Sequence, residues 1–317
     1  MTPPARLTRP QPLEQPTQGP SPGPAPPATP PPAGLRPQLL EQLVAPWPSQ
    51  PELVLVTDLD GTLLAGPPPW RQRLYGWLGR QRQRVVHVFS TGRDLDSVGR
   101  LMGQEAQLGL PHPHLVISDV GCTVACGHSL RPLPELVAPI EALWQGLPER
   151  LLPLLERIPG LESQPVSADR RLAYLIDPAA IDPRHLRALE LEVHGIDCLI
   201  SGERYLDVLP AGINKGSTLL ALLHALGLDH GLVVTAGDSL NDLAMFETGL
   251  AGVMVANAEA ELRQRLPELE RTFAARGEGC AGIVEGLRHF GFGHLLDARF
   301  LDDPWPSLNP DGPAAPW

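Results

Sequence analysis

Apolar and polar positions along this chain switch repeatedly between two periods. Leu53-Val54-Leu55-Val56-Thr57 is a short apolar, β-branched run with no polar face, which predicts a strand buried on both sides. A helical period follows near Trp70 to Arg82, where Leu74, Trp77 and Leu78 share one face, and then a second buried strand, Val85 to Phe89. A helix near Leu95 to Gln107 and a strand at Leu115 to Ser118 continue the series. The later part repeats it: Lys215 to Leu226 reads as helix, Leu232 to Ala236 as strand, Leu240 to Glu247 as helix and Gly252 to Val255 as strand. Alternation of this kind predicts an α/β fold with a Rossmann-like parallel sheet core and helices on both faces.

Between the two halves the pattern changes. Helices are expected near Glu135 to Trp144, Pro148 to Arg157 and Pro183 to Leu191, with strands at Leu172 to Ile176 and Cys198 to Ser201. These carry their own apolar faces and predict a smaller inserted α+β domain. The expected organisation is an arm over 1–48, a first core part over 49–127, the insertion over 128–204, a second core part over 205–296 and a tail over 297–317.

Composition changes this picture at the ends. Residues 1–50 hold 16 of the 38 prolines, too little apolar surface to offset the entropy of ordering, so a disordered Pro-rich arm and a similar flexible tail are expected. The net charge of −11 supplies no basic face for nucleic acid. The four cysteines show neither CxxC nor zinc spacing, and no apolar run is long enough to span a bilayer, so a cytoplasmic protein without membrane or nucleic-acid partners is expected. Lysine is scarce, which gives weight to Lys215 at a helix start, where a cation is disfavoured unless an anion is near.

The polar surprises fall just after the predicted strands, where open parallel sheets bind ligands. Asp58 and Asp60 follow the first strand, Ser90-Thr91-Gly92-Arg93 the second, Asp119-Val120-Gly121 the third, and Gly237-Asp238-Ser239 with Asn241-Asp242 the strand at 232–236. Each group alone could be a turn or a helix cap. Two carboxylates beside a buried strand repel and lose water unless a cation or a shared proton compensates.

Taken in order, Asp58-Leu59-Asp60-Gly61-Thr62, Ser90-Thr91-Gly92-Arg93, Asn214-Lys215-Gly216 and Gly237-Asp238-Ser239-Leu240-Asn241-Asp242 resemble the four motifs of haloacid-dehalogenase-superfamily phosphatases. The insertion between the second and third motifs is similar to the larger cap type, C2, of that superfamily. Tyr205-Leu206-Asp207-Val208-Leu209-Pro210 and Met245-Phe246-Glu247-Thr248 narrow the likeness to the sucrose-phosphate phosphatase-like group. Gly61, where that group often carries Asn, and Gly121-Cys122-Thr123 depart from it.

The resemblance implies a Mg²⁺-dependent phosphomonoester hydrolase. Asp58 is the expected nucleophile and Asp60 the acid–base; Thr91, Gly92 and Lys215 hold the phosphoryl group. Asp58, the Asp60 backbone carbonyl and Asp238 are the expected metal ligands, with Asp242 a ligand through water or a neighbour of one, oriented by Asn241. Arg170 and Arg171 are the expected sugar contacts in the cap, followed by Arg93, Tyr174 and Gln164, while His87 and His224 are structural. The expected substrate is a sugar or glycosyl phosphate, sucrose 6-phosphate first and glucosyl- or mannosyl-3-phosphoglycerate next. A phosphosugar mutase, or a catalytically silent partner domain of a glycosyltransferase, are the alternatives.

Overall fold

A computed structural model describes residues 35–202, 204–297 and 300. Two sheets organise them. Seven strands build the larger: β1 (Leu53–Thr57), β2 (Val85–Ser90), β3 (Leu115–Ser118), β4 (Thr123–Cys126), and later β9 (Val233–Gly237), β10 (Ala251–Met254) and β11 (Thr272–Ala274). Their order is β11-β10-β9-β1-β2-β3-β4, parallel throughout except for the antiparallel pair β3–β4. The chain leaves β1 in both directions of that order, so a crevice opens between the C-terminal ends of β1 and β9.

Strand alternation divides the core into two layers. Leu53 and Leu55 pack with Leu74 and Trp77 of α2 (Pro68–Arg80) and Val98 of α3 (Leu95–Glu105). Val54 and Val56 face the other way, onto a layer that holds Leu133 and Leu136 at the start of α4 (Pro134–Trp144).

The smaller sheet, in the order β5-β6-β8-β7, is antiparallel: β5 (Leu161–Gln164), β6 (Leu172–Ile176), β7 (Ile196–Ser201) and β8 (Tyr205–Pro210). Trp144 from α4, Leu151 and Leu155 from α5 (Leu147–Leu155), and Leu186 and Leu189 from α6 (Pro183–Glu192) cover one side of it. The chain then re-enters the core layers through α7 (Lys215–Leu226), which lays Leu219, Leu222 and Leu223 over Val54 and Val56, and through the short α8 (Leu243–Phe246) and α9 (Ala260–Gln264). Helix α10 (Gly279–His289) returns to the opposite layer, with Ile283, Val284 and Leu287 on Leu53 and Leu55.

Three boundaries differ from expectation. The inserted domain does not end at 204, because β8 lies between β6 and β7 as an inner strand of the smaller sheet and extends it to Pro210. The segment 35–48, expected within the arm, is folded: α1 (Arg36–Glu41) buries Leu39 in the Val54 layer, and Trp47 sits edge-on to His114 at 5.8 Å. The tail expected from 297 also touches the core, since Phe300 is buried against Trp77. Residues 1–34, 298–299 and 301–317 lie outside the described residues, and with them most of both expected termini. Among the described residues no helix is long and apolar enough to cross a membrane.

Candidate active site

The site is built at the C-terminal ends of β1, β2 and β9. Asp58 directly follows β1, and its N–H donates to the Ala236 carbonyl (2.9 Å), which ties it to β9. The backbone then turns through Leu59–Leu63, where Gly61 has φ +77°. A Cβ on Gly61 would lie 2.1 Å from Oδ2 of Asp238, so glycine is required both by the turn and by the carboxylate seated over it. Thr62 donates to the other oxygen of Asp238 at 2.5 Å.

Lys215 enters from the first position of α7, whose N-cap Asn214 forms a reciprocal capping box with Ser217. It is fully buried and donates to Asp58 Oδ1 (2.7 Å), Asn241 Oδ1 (2.6 Å) and Asp242 Oδ1 (2.6 Å). Burial opposes the ammonium, but Asp242 and Asp58 outweigh it and hold the Lys215 pKa above its ordinary value. Asp242 is buried too, and its second oxygen accepts from the N–H groups of Asp238 (2.9 Å) and Ser239 (3.0 Å). It therefore fixes both the lysine and the loop that presents Asp238.

Oxygens of Asp58, Asp238 and Asp242 lie within 4.8 Å of one another. One ammonium does not balance three carboxylates. Burial raises Asp58 to about 7 against the pull of Lys215, and burial together with Asp58 raises Asp238 to about 9. A trio of which burial drives two members toward the protonated form is the donor set that a hard divalent cation fits, since the cation supplies the missing positive charge through oxygen ligands.

Asp60 turns elsewhere. Its carboxylate is 56% exposed and takes a two-pronged pair from Arg93, Nε to Oδ2 and Nη2 to Oδ1, both at 2.6 Å. Arg93 also donates to Ser97 Oγ (2.8 Å), so it is a brace for Asp60 before it is a sugar contact. Thr91 and Gly92 border the same cavity, of about 660 Å³, whose far wall comes from the inserted domain through Gln164, Tyr174, Ser201, Tyr205 and Asp207.

The two cap arginines separate. Arg171 borders the cavity but is 7% exposed, with its guanidinium committed to Asp119, Asp207 and the Gly92 carbonyl. Arg170 is not among the lining residues; it pairs with Glu141 (2.8 Å) and donates to Thr123 Oγ1 (3.2 Å), a brace between the two domains. Asn241, expected to orient Asp242, instead accepts from Lys215. His87 is buried, sharing a hydrogen bond with Thr57 at 3.1 Å.

Sequence reading missed Glu259, whose carboxylate accepts from Gly202 N–H (3.0 Å) of the cap and Leu240 N–H (3.0 Å) of the core at the cavity rim. It places Asn257 at the end of the family-like stretch that begins at Met245 but gives it no role; the side chain donates to the Gly61 carbonyl (2.7 Å) and accepts from Gly279 N–H (3.0 Å). Both follow the C-terminal end of β10, the strand expected at Gly252 to Val255, so the strand-end rule could have found them.

The geometry can be set beside known proteins. A relative from Pseudomonas anguilliseptica, glucosylglycerol-phosphate synthase, is 42% identical over 242 residues, which is 76% of this chain but 31% of the synthase. Mannosylfructose-phosphate phosphatase of Agrobacterium fabrum is 32% identical, with 76% of this chain and 98% of that protein aligned. The sucrose-phosphatase of Synechocystis sp. PCC6803, solved with sucrose and phosphate, superposes with a TM-score of 0.68 at 25% identity, covering 76% of this chain and 98% of that one. The profile of sucrose-6F-phosphate phosphohydrolase matches residues 51–291, most of the chain, and the chain belongs to that family of haloacid-dehalogenase-fold hydrolases.

Proposed function

We propose that this protein is a Mg²⁺-dependent phosphomonoesterase acting on a glycosyl phosphate through an aspartyl-phosphate formed on Asp58. The observation that carries the reading is the convergence of Asp58, Lys215 and the acidic trio under a cavity roofed by a second domain. Phosphate monoesters hydrolyse extremely slowly in water, so the site must supply a nucleophile and neutralise charge on the phosphoryl oxygens.

Asp58 offers a carboxylate oxygen held by Lys215, and its attack on phosphorus breaks the bond to the sugar oxygen. Asp60, on the open side and braced by Arg93, gives a proton to that leaving oxygen and later takes one from the water that cleaves the acyl-phosphate. Thr91 and the Gly92 amide, on the cavity wall, bind the phosphoryl oxygens, and Lys215, buried beneath Asp58, supplies positive charge behind them. Asp58 and Asp238 would hold Mg²⁺, with Asp242 at the third corner of the trio and already engaged by Lys215 and two amides. When bound, the ion supplies charge neutralisation between carboxylate and phosphate.

A cavity of about 660 Å³ leaves room beyond a phosphoryl group for a disaccharide-sized alcohol. The family and its relatives support sucrose 6-phosphate and mannosylfructose phosphate as candidate substrates. The 42% identity to part of a glucosylglycerol-phosphate synthase favours glucosylglycerol phosphate as a further substrate, ahead of the glycosyl-3-phosphoglycerates. The test is a panel of these esters with simple hexose phosphates, compared by kcat/KM with phosphate release measured. A glycosyl phosphate at the head of the panel is the expected result. Transfer to a second sugar without free phosphate would make the protein a mutase, and absence of any turnover with Mg²⁺ would leave a binding domain.

A further inference from the structure

The loop Thr91–Arg93 is gripped from behind at all three of its carbonyls. Val120 N–H donates to the Thr91 carbonyl (3.1 Å), Asp119 N–H to that of Arg93 (2.9 Å) and Arg171 Nη2 to that of Gly92 (3.0 Å). The loop amides are then accounted for in turn. Thr91 N–H is spent on the Ile117 carbonyl (2.8 Å) and Arg93 N–H on Thr91 Oγ1 (3.1 Å). Among the described residues the Gly92 N–H has no acceptor, and Gly92 borders the cavity.

A trans peptide points its C=O and its N–H in opposite directions. Holding the Thr91 carbonyl therefore aims the Gly92 N–H away from Val120, and holding the Gly92 carbonyl fixes the next peptide plane. Glycine has the widest torsional freedom of any residue, so with the preceding plane held by Val120, the setting of the plane after Gly92 rests on the Arg171 grip together with the Arg93 N–H bond to Thr91 Oγ1. The gripping loop is itself strained: Asp119 and Val120 have φ of +54° and +56°, and a β-branched residue rarely adopts such a conformation. Arg171 holds it through the Asp119 carboxylate (3.2 Å) and is held in turn by Asp207.

Arg171 and Asp207 belong to the inserted domain, at the start of β6 and on β8, whereas Asp119 and Gly92 belong to the core. We propose that Arg171 is a positioning residue through which the docked cap fixes the Gly92 peptide for phosphoryl binding, so that the core's anion site is complete only with the cap in place. This rests on the phosphatase reading above and assigns the arginine to the phosphate end of the site instead of the sugar end.

The experiment uses the full chain with para-nitrophenyl phosphate, whose leaving group asks little of the cap, and reads competitive inhibition by inorganic phosphate. Arg171→Lys keeps the charge but loses the planar fork that reaches three partners. It is expected to raise the inhibition constant for phosphate and to lower kcat/KM on the aryl ester, each by about tenfold or more, with the Mg²⁺ concentration for half-activation unchanged. Asp207→Asn, which keeps the arginine and removes its anchor, should move the phosphate constant the same way by less. Because Arg171→Ala risks misfolding, the lysine and asparagine variants carry the test. Phosphate inhibition within about twofold of wild type in Arg171→Lys would overturn the proposal, as would an equal loss of Mg²⁺ and phosphate affinity. Wild-type protein with no turnover would sink the phosphatase reading instead, a separate outcome.

Discussion

The core and the cap solve the same problem, holding polar groups out of water, in opposite ways. In the core the charged groups are clustered and buried, with Lys215, Asp58 and Asp242 locked among themselves at the end of strands buried on both faces. In the cap the sheet is antiparallel and half-covered, and its ties to the core are scattered: Arg171 to Asp119, Arg170 to Thr123, Gly202 to Glu259, Ser167 to Asp94. Dense networks give a rigid geometry for chemistry; dispersed polar ties can be broken and remade individually. The difference teaches that the chemical centre is held rigid while most of the wall above it can be adjusted around it, Arg171 being the tie that reaches the phosphate end.

Breaking the core should have the largest effect. Asp58→Asn is expected to cut phosphate release by at least about 10³-fold on every substrate while the protein still melts cooperatively. An active Asp58→Asn enzyme would mean that another group attacks phosphorus. Asp60→Asn should also lower turnover severely, and least for para-nitrophenyl phosphate, whose leaving group needs no proton.

Removing the metal tests the charge balance of the same region. Excess chelator should abolish turnover, and added Mg²⁺ should restore it. Asp58 and Asp238 have raised folded-state pKa values, about 7 and about 9, so in metal-free protein their stabilising protons are present in acid and lost as pH rises through those values. The melting temperature gained on adding Mg²⁺ should therefore grow between pH 6 and pH 9. A gain that shrinks over that range would contradict the assignment of the trio.

The cap should respond to substrate size. Tyr205, 49% exposed and on the cavity wall, is expected on truncation to Ala to raise KM for a glycosyl phosphate about tenfold while changing that for para-nitrophenyl phosphate by less than about twofold. Equal effects on both esters would erase the division of labour. The smallest effect concerns the edge of the core: a chain starting at residue 49 should melt several degrees below one starting at residue 35, because Leu39 is fully buried in the Val54 layer. Coincident melting curves would show that α1 contributes no packing.

What could be read from the sequence tracks where chemistry interrupts periodicity. Asp58, Thr91 and Asp238 each end an apolar run, so the strand order alone brings them to one crevice. Helix α10 escaped notice because Gly279, Gly282 and Gly286 lower its helical propensity, yet close packing requires all three: a Cβ on Gly286 would stand 2.1 Å from Val253, one on Gly282 2.4 Å from the Gly277 carbonyl and one on Gly279 2.5 Å from the Ala65 carbonyl. Sequence reading places residues 205–210 in the second core part without a strand, and the apolar pattern there does not say that β8 joins the smaller sheet. The apolar residues of α1 were hidden by the prolines around them. Arg171 is expected at the sugar because nothing local announces its partners Asp119 and Asp207, which lie 52 and 36 positions away.

The buried lysine has a consequence for anyone handling the protein. Lys215 is the sole lysine in the sequence, and no part of it is open to solvent. Amine-directed reagents such as activated esters therefore find no side chain on the folded surface, and the Lys215 ammonium, held charged by Asp242 and Asp58, is a poor nucleophile even if reached. Labelling at that position becomes a clock for opening of the site: it should be slow in the native protein and rapid in denaturant, so a single peptide in a mass spectrum reports how often the catalytic centre comes apart.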